Sequence, residues 1–131
     1  TVELYGPSAD SGNPRAQLEL GFLYYVGQGV DQDFSKAQKW FREAALNNVN
    51  MAQYNLGIMW YTGNNSLNRS SLTEAYAWIN VAAINSYQDA YGARAYLHSA
   101  LTEDELLVAQ KKSEQIYLQI RQRLLAPPDS P

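Results

Sequence analysis

The chain has 131 residues and a formal net charge of −3, from 10 Lys and Arg residues against 13 Asp and Glu residues, and no cysteine. This charge balance excludes the basic surface that binds nucleic acid, and the missing cysteine excludes disulfide frameworks and cysteine-based zinc or redox sites. No apolar run approaches the ~20 residues of a membrane span, and a composition with 46% hydrophobic and 18% charged residues is typical of one folded domain or a short solenoid.

The clearest pattern in the sequence is an internal repeat of about 36 residues. The residues Ala16, Gln17, Leu20, Gly21 and Gly27 return 36 positions later as Ala52, Gln53, Leu56, Gly57 and Gly63. The residues Ala37, Trp40, Ala44 and Ala45 return 38 positions later as Ala75, Trp78, Ala82 and Ala83. A period of this length marks stacked pairs of helices, and the second copy has two extra residues in its inner turn.

Residues 1–13 match the end of such a repeat and are interpreted as a partial copy. Pro7 lies inside the corresponding helix, where it removes a backbone donor, so we expect a short or broken helix. Two explanations stay open, an edge made by cutting a longer array and a natural N-terminal cap. The start at Thr1, without an initiator Met or a signal-type segment, favours a processed or excised piece.

The first full repeat, residues 14–48, is predicted to form two helices joined by a glycine-rich turn. Asn13 is a good N-cap, and a proline follows it at the first helical position. The first helix is expected to end at Gly27, with Gly29 in the turn, and Asp33 is expected to cap the second helix. The predicted buried positions are Ala16, Leu20 and Tyr24 in the first helix and Ala37, Phe41, Ala44 and Ala45 in the second, with Trp40 at the edge.

Gly21 has no reason of helix propensity to lie in a helix, since glycine costs up to ~1 kcal/mol there against alanine. Because it returns as Gly57, we expect that a side chain is excluded where another helix backbone passes close by. This interpretation assigns both glycines to packing.

The second copy spans residues 49–86 and has a longer, more polar inner turn over residues 63–71. A third copy begins at residue 87 but degrades, since Arg94 replaces the leucine of the pattern and Ala95 replaces its glycine.

A capping helix completes the segment of residues 87–125. Thr102 and Glu105 have the spacing of a capping box, and the helix can run to Leu125. Its apolar stripe is expected to lie against the third copy and consists of Leu106, Ala109, Ser113, Ile116, Tyr117, Ile120 and Leu124. Residues 126–131 are expected to form a disordered tail.

The repeated residues of the two copies resemble the pattern of the Sel1-like repeat (SLR) family, which is related to the tetratricopeptide repeats. The first copy meets the family pattern at Ala16, Leu20, Gly21, Tyr24, Gly27, Gly29, Val30, Asp33, Lys36, Ala37, Trp40, Phe41, Ala44 and Ala45. The second copy departs from it, with Trp60 in place of the tyrosine and Glu74 in place of the lysine. The structural signature positions are Gly21, Gly27, Gly29, Trp40, Gly57, Gly63 and Trp78.

The resemblance covers roughly residues 1–100 and implies an all-α fold. It implies an α-α superhelix, a solenoid of helix-turn-helix repeats that a C-terminal capping helix closes. It also implies an adaptor in protein complexes, often bacterial, with the bacterial cytoplasm or periplasm as the expected compartment.

The sequence offers no constellation for catalysis, and neither a cofactor nor a metal is expected. His98 is the single histidine, so no histidine pair is available for a metal and no evident base for a nucleophile. Glu103, Asp104 and Glu105 form a carboxylate cluster, but their place in a first helical turn accounts for them. The chain is therefore predicted not to be an enzyme.

A binding face is predicted beside the buried stripe of the first helix of each repeat. Its candidate partner-binding residues are Arg15, Phe22 and Tyr25 in the first copy, Met51, Ile58 and Tyr61 in the second, and Tyr96 in the third. Tetratricopeptide-type arrays turn this face toward a concave groove, where apolar and aromatic side chains anchor a peptide or helix. Part of this stripe can instead pack repeat on repeat, and Leu18 and Tyr54 are usual core positions of the family.

Three functions of different classes follow. The leading hypothesis is a protein-interaction module that holds a segment of a partner protein on its concave face, as a monomer or weak oligomer. The second is an immunity or envelope-assembly partner that recognises its target through edges and loops such as residues 63–71. The third is a cell-wall-directed hydrolase.

Overall fold

The structure is a computed structural model that describes residues 2–62 and 69–125. Over these ranges the chain forms helices and no strands, which confirms the predicted all-α class. The helices are α1 (Val2–Asp10), α2 (Pro14–Val26), α3 (Phe34–Leu46), α4 (Asn50–Thr62), α5 (Arg69–Ile84), α6 (Gln88–Ala100) and α7 (Glu103–Leu125). Gly63, the polar inner turn as far as residue 68 and the tail of residues 126–131 lie outside the described residues.

The ends of α2 and α3 form where the local sequence predicts them. The Asn13 side chain accepts a hydrogen bond from the backbone N–H of Ala16 at 3.0 Å, and Asp33 accepts one from Lys36 at 3.0 Å. Gly27 ends α2 with a φ of 79°, in the left-handed region that glycine enters without steric cost. These three predictions are confirmed.

The short helix α1 continues unbroken through Pro7. A proline at this position removes the hydrogen bond to the carbonyl of Glu3, one turn earlier. Both Pro7 and Glu3 are exposed, so water can reach the carbonyl that has lost its partner. The helix is therefore short, as expected, but it is not broken.

Gly21 and Gly57 both make room for packing, although in different ways. A Cβ atom at Gly57 would lie 2.6 Å from Cγ1 of Ile79 and 3.1 Å from the carbonyl oxygen of Ala75, so the backbone of α5 does pass close. At Gly21 the nearest atoms belong to the ring of Phe41, at 2.6 Å. The expectation of a close helix backbone is wrong at Gly21, because an aromatic ring from α3 occupies that space.

Two buried glutamines clamp successive repeats together. Gln17 donates to the carbonyl of Ala9 at 3.2 Å and accepts from the side chain of Asn47 at 2.9 Å. In the next repeat Gln53 donates to the carbonyl of Ala45 at 3.1 Å and accepts from the side chain of Asn85 at 3.4 Å. Each glutamine thus joins the end of the preceding helix pair to the end of its own, and we call this arrangement the glutamine clamp.

The first turns of the capping helix α7 lie against the third copy, as expected, since Ala109 is buried in one cluster with Leu97. The rest of α7 runs along α5 as far as α3. The hydroxyl of Ser113 donates to the carbonyl of Ala77 at 3.1 Å. Ile116 and Ile120 are buried in the same core cluster as Phe41 and Trp78. The capping box itself is confirmed by the backbone N–H of Thr102, which donates to Glu105 at 2.9 Å, and by the reciprocal bond at 3.2 Å.

The physical reason for this placement is that α6 has little apolar surface left for a second neighbour. Its fully buried residues are Ala90 and Leu97, in a cluster with α5 and the start of α7, whereas Ala95 and Tyr96 are exposed. The flank of α5 that faces α3 carries Ala77, Trp78 and Val81, all buried in the first core cluster. The apolar stripe of the long helix α7 therefore buries more surface there than it could on α6.

Candidate functional site

The predicted binding face contains a small depression between α2 and α4. It has a volume of about 60 Å³ and is lined by Phe22, Tyr25, Phe41, Asn55, Ile58 and Met59. Three of the seven predicted partner-binding residues therefore line one site, although they come from two repeats. We call this site the α2–α4 depression.

Aromatic contacts set the shape of the α2–α4 depression. Phe22 meets the ring of Phe41 edge to face, with centroids 5.1 Å apart, and Phe41 is buried because Gly21 leaves space for its ring. Tyr25 meets the edge of Phe34 at 5.5 Å. Such edge contacts fix the rings in place, so the depression is formed before any partner binds.

Tyr61 and Tyr96 form a second aromatic element, which joins α4 to α6. Their rings stack with centroids 5.9 Å apart, and the Tyr61 hydroxyl donates to the Tyr96 hydroxyl at 3.2 Å. This hydrogen bond, with a smaller contribution from desolvation, raises the pKa of Tyr61. Tyr96 is 59% exposed, so most of its surface is open to a partner.

Arg15 and Met51 lie in the first turns of α2 and α4, away from the depression. Both are exposed, and Arg15 pairs with Glu19 at 3.5 Å on the same helix. Leu18 is buried in the core, and the half-buried ring of Tyr54 packs on Tyr87 with centroids 5.1 Å apart. The predicted face is thus divided into an apolar centre, a tyrosine pair toward α6 and two separate residues at the helix starts.

The side chains of this face can make contact with a partner protein. They are aromatic, aliphatic, thioether or amide, apart from the Arg15–Glu19 pair. Over residues 2–62 and 69–125, no group of three histidine, aspartate or glutamate side chains is placed to hold a metal ion. His98 is exposed on α6, with its ring 6.5 Å from that of Tyr76.

The profile of the Sel1 repeat matches two consecutive segments, residues 14–49 and 50–87. These segments make up more than half of the chain and contain both sides of the α2–α4 depression. The chain belongs to the Sel1 repeat family.

Proteins of a bacterium and of a plant resemble this chain over short stretches. It is 42% identical over 43 residues to the secretory immunoglobulin A-binding protein EsiB of Escherichia coli, a match that covers 33% of this chain and 9% of EsiB. It is 34% identical over 56 residues to an ERAD-associated E3 ubiquitin-protein ligase component of Arabidopsis thaliana, covering 43% of this chain and 8% of that protein. The chain therefore spans less than a tenth of these relatives.

A solved structure matches nearly the whole chain. The crystal structure of a protective antigen of uropathogenic Escherichia coli with an SLR fold superposes with a TM-score of 0.82 at 26% identity. The match covers 99% of this chain and 29% of that one. The Sel1-type solenoid predicted from the repeat is thereby confirmed. Among the helices described, none has the length and apolar character needed to cross a membrane.

Four residues of this region were not among the predicted site residues: Phe34, Phe41, Asn55 and Met59. Asn55 lies four residues after Met51 on the same helical face, so the spacing could have identified it. Phe41 was assigned to the core of the Sel1 repeat, and it is buried, but its ring also forms one wall of the depression. Nothing in the local sequence indicates that Phe34 reaches Tyr25.

Proposed function

We propose that this Sel1 repeat chain is a protein-interaction module that holds a segment of a partner protein over the α2–α4 depression. The observation that carries the proposal is that two consecutive repeats together form a preformed apolar recess on a face with little charge. A recess of about 60 Å³ has room for a small aliphatic group of one anchor side chain of the partner. The tyrosine pair of α4 and α6 extends the contact surface on the far side.

The role is binding rather than catalysis because the side chains of this face supply contact area and no paired acid, base or nucleophile. The names of two relatives support the general class, since one is a binding protein and the other a component of a ligase assembly. The alternative of recognition through the inner turn concerns residues that lie largely outside the described part of the chain.

The test begins with capture of a partner from an extract of the source organism, followed by purification of that partner and titration against defined variants. Tyr25→Ala combined with Ile58→Ala should weaken binding by tenfold or more, because a buried anchor typically contributes ~2 kcal/mol or more. Tyr91→Ala is the matched control, since Tyr91 is an exposed tyrosine outside the depression.

Circular dichroism of each variant would show that the helices remain formed. An affinity unchanged in the double variant, or one that falls equally in the Tyr91→Ala control, would contradict the proposal.

A further inference from the structure

The outer face of α7 carries an apolar surface that the rest of the described chain leaves open. Ile84 of α5 is 57% exposed, and the neighbouring Tyr117 and Leu118 of α7 are 49% and 54% exposed. Together with Asn80 and Glu114 these residues line a groove of about 650 Å³ between α5 and α7. Large contiguous apolar patches are rare on the surfaces of soluble monomeric proteins. This group of exposed apolar side chains therefore indicates an interaction surface.

A second recess continues this groove toward the end of α7. It has a volume of about 250 Å³, shares Ile84 and Tyr117 with the first, and extends to Arg121 and Leu124. The two recesses form one groove beside α7 from Gln110 to Leu124. At 1.5 Å per residue this groove is roughly 20 Å long, about four turns of a helix.

The exposed stripe of α7 has the spacing that helices use to pair with each other. Its residues along the groove recur at alternating steps of four and three, as Gln110, Glu114, Tyr117, Arg121 and Leu124. This heptad spacing is separate from the buried stripe of Ala109, Ser113, Ile116 and Ile120, which holds α7 on the solenoid. One helix therefore has two faces that can pack, and the chain uses one of them.

The charges on this stripe identify the occupant. Glu114 and Arg121 lie one heptad apart, on either side of Tyr117 and Leu118, and neither forms an ion pair within the described residues. Their separation along the helix, about 10 Å, is too large for them to pair with each other. In an antiparallel pair of α7 helices with a two-fold axis at Tyr117 and Leu118, Glu114 of each copy lies opposite Arg121 of the other.

We propose that the α5–α7 groove binds the α7 helix of a second copy of this chain, as a symmetric antiparallel dimer. A surface on which opposite charges flank an apolar centre at equal distances is complementary to itself, as a two-fold interface requires. A single helix pair is a small interface compared with the ~1,600 Å² of a standard stable complex. The dimer is therefore weak and depends on protein concentration.

The experiment is sedimentation equilibrium of the whole chain over a range of concentrations, about 1 μM to 1 mM. The expected mass rises from the 14.7 kDa of one copy toward twice that value. Glu114→Arg alone and Arg121→Glu alone should each weaken self-association at least tenfold, because two pairs of like charges then face each other across the axis.

Mixing the two single variants provides the decisive measurement. Their mixture should form a heterodimer about as readily as the original chain forms its dimer, because both arginines of the Glu114→Arg copy then face glutamates of the Arg121→Glu copy. Gln119→Arg, an exposed change on the opposite flank of α7, is the control and should leave association unchanged.

Three results would overturn the proposal. One is a mass of 14.7 kDa at every concentration. Another is association that the two charge variants do not weaken. The third is a mixture of the variants that associates no better than either variant alone. Circular dichroism of each variant distinguishes a lost interface from a lost fold.

Discussion

Gly57 and Gly92 both lie inside helices of the array, but their surroundings differ. A Cβ atom at Gly57 would meet Ile79 and the backbone of α5, whereas a Cβ atom at Gly92 would meet nothing within 4 Å. We expect Gly57→Ala to lower the free energy of unfolding by about 1–3 kcal/mol through overpacking. Gly92→Ala should raise it by up to ~1 kcal/mol through helix propensity. Urea denaturation of both variants checks the opposite signs, and equal effects would contradict the assignment of Gly57 to packing.

The glutamine clamp is a second feature that acts through single residues. Gln53 is fully buried, and its amide is placed between the carbonyl of Ala45 and the side chain of Asn85. Gln53→Met keeps the length of the side chain but removes its hydrogen bonds with Ala45 and Asn85. At about 0.5–1.5 kcal/mol for each bond, we expect a loss of about 1–3 kcal/mol in unfolding free energy.

Gln119→Met on the exposed surface of α7 is the matched control for the clamp and should change stability by no more than about 0.5 kcal/mol. Thermal and urea unfolding of the two variants would measure the difference. A stability of Gln53→Met close to that of the control would show that the clamp does not stabilise the stacking of the repeats.

Among the elements, α4 and α6 are joined by the pair of Tyr61 and Tyr96. The hydrogen bond between them favours the neutral form of Tyr61 and so raises its pKa in the folded chain. The stability that this hydrogen bond gives to the folded state is therefore fully present below the ordinary tyrosine pKa of about 10. It is lost as the pH rises through the raised pKa of Tyr61.

The measurement is an NMR titration of the ring carbon of Tyr61 that bears the hydroxyl. Tyr96→Phe removes the acceptor but keeps the ring, so the pKa of Tyr61 should fall toward its ordinary value. Tyr91→Phe serves as the control, since that tyrosine lies elsewhere on α6. A Tyr61 pKa that Tyr96→Phe leaves unchanged would mean that the two hydroxyls are not hydrogen-bonded in solution.

Helix ends could be predicted from the sequence because a cap needs only the residues beside it. The capping hydrogen bonds of Asn13, Asp33 and Gly27 each join residues that are no more than four positions apart in the sequence. The placement of α7 could not be predicted in this way, since it depends on how much apolar surface α5 and α6 leave open after the repeats have stacked. The repetition of Gln17 as Gln53 is visible in the sequence. The hydrogen-bond partners of both glutamines lie in other helices, so the sequence did not identify them.

The candidate site likewise has a part that could be predicted from the sequence and a part that could not. Helical spacing places Phe22, Tyr25 and Ile58 on one face, and the structure brings them together in one depression. The walls formed by Phe41 and Met59 depend on the tilt between helices, which spacing within one helix does not determine. The use of this face by a partner stays a prediction.

For the molecule as a whole, α7 converts an open stack of repeats into a closed core. Repeat arrays are stabilised mainly by contacts between neighbours, so distant repeats can unfold separately. Here Ile120 of α7 is buried in the cluster that also contains Phe41 of α3 and Trp78 of α5. Arg123 extends the contact to Glu43 near the end of α3, at 3.4 Å. Unfolding of α7 should therefore expose the first repeat as well as the second.

Ile120→Ala tests this closure, and we expect it to lower the free energy of unfolding by about 2–5 kcal/mol because it leaves a cavity in the shared core. Native-state hydrogen exchange should become faster in α3 and α5 as well as in α7, although α3 is more than 70 residues away in the sequence. Leu107→Ala, an exposed change on the same helix, should leave exchange in α3 unaltered. If hydrogen exchange in Ile120→Ala became faster in α7 alone, the folding of the two repeats would not depend on α7. Faster exchange in all three helices would show instead that α7 makes the two repeats one cooperative unit.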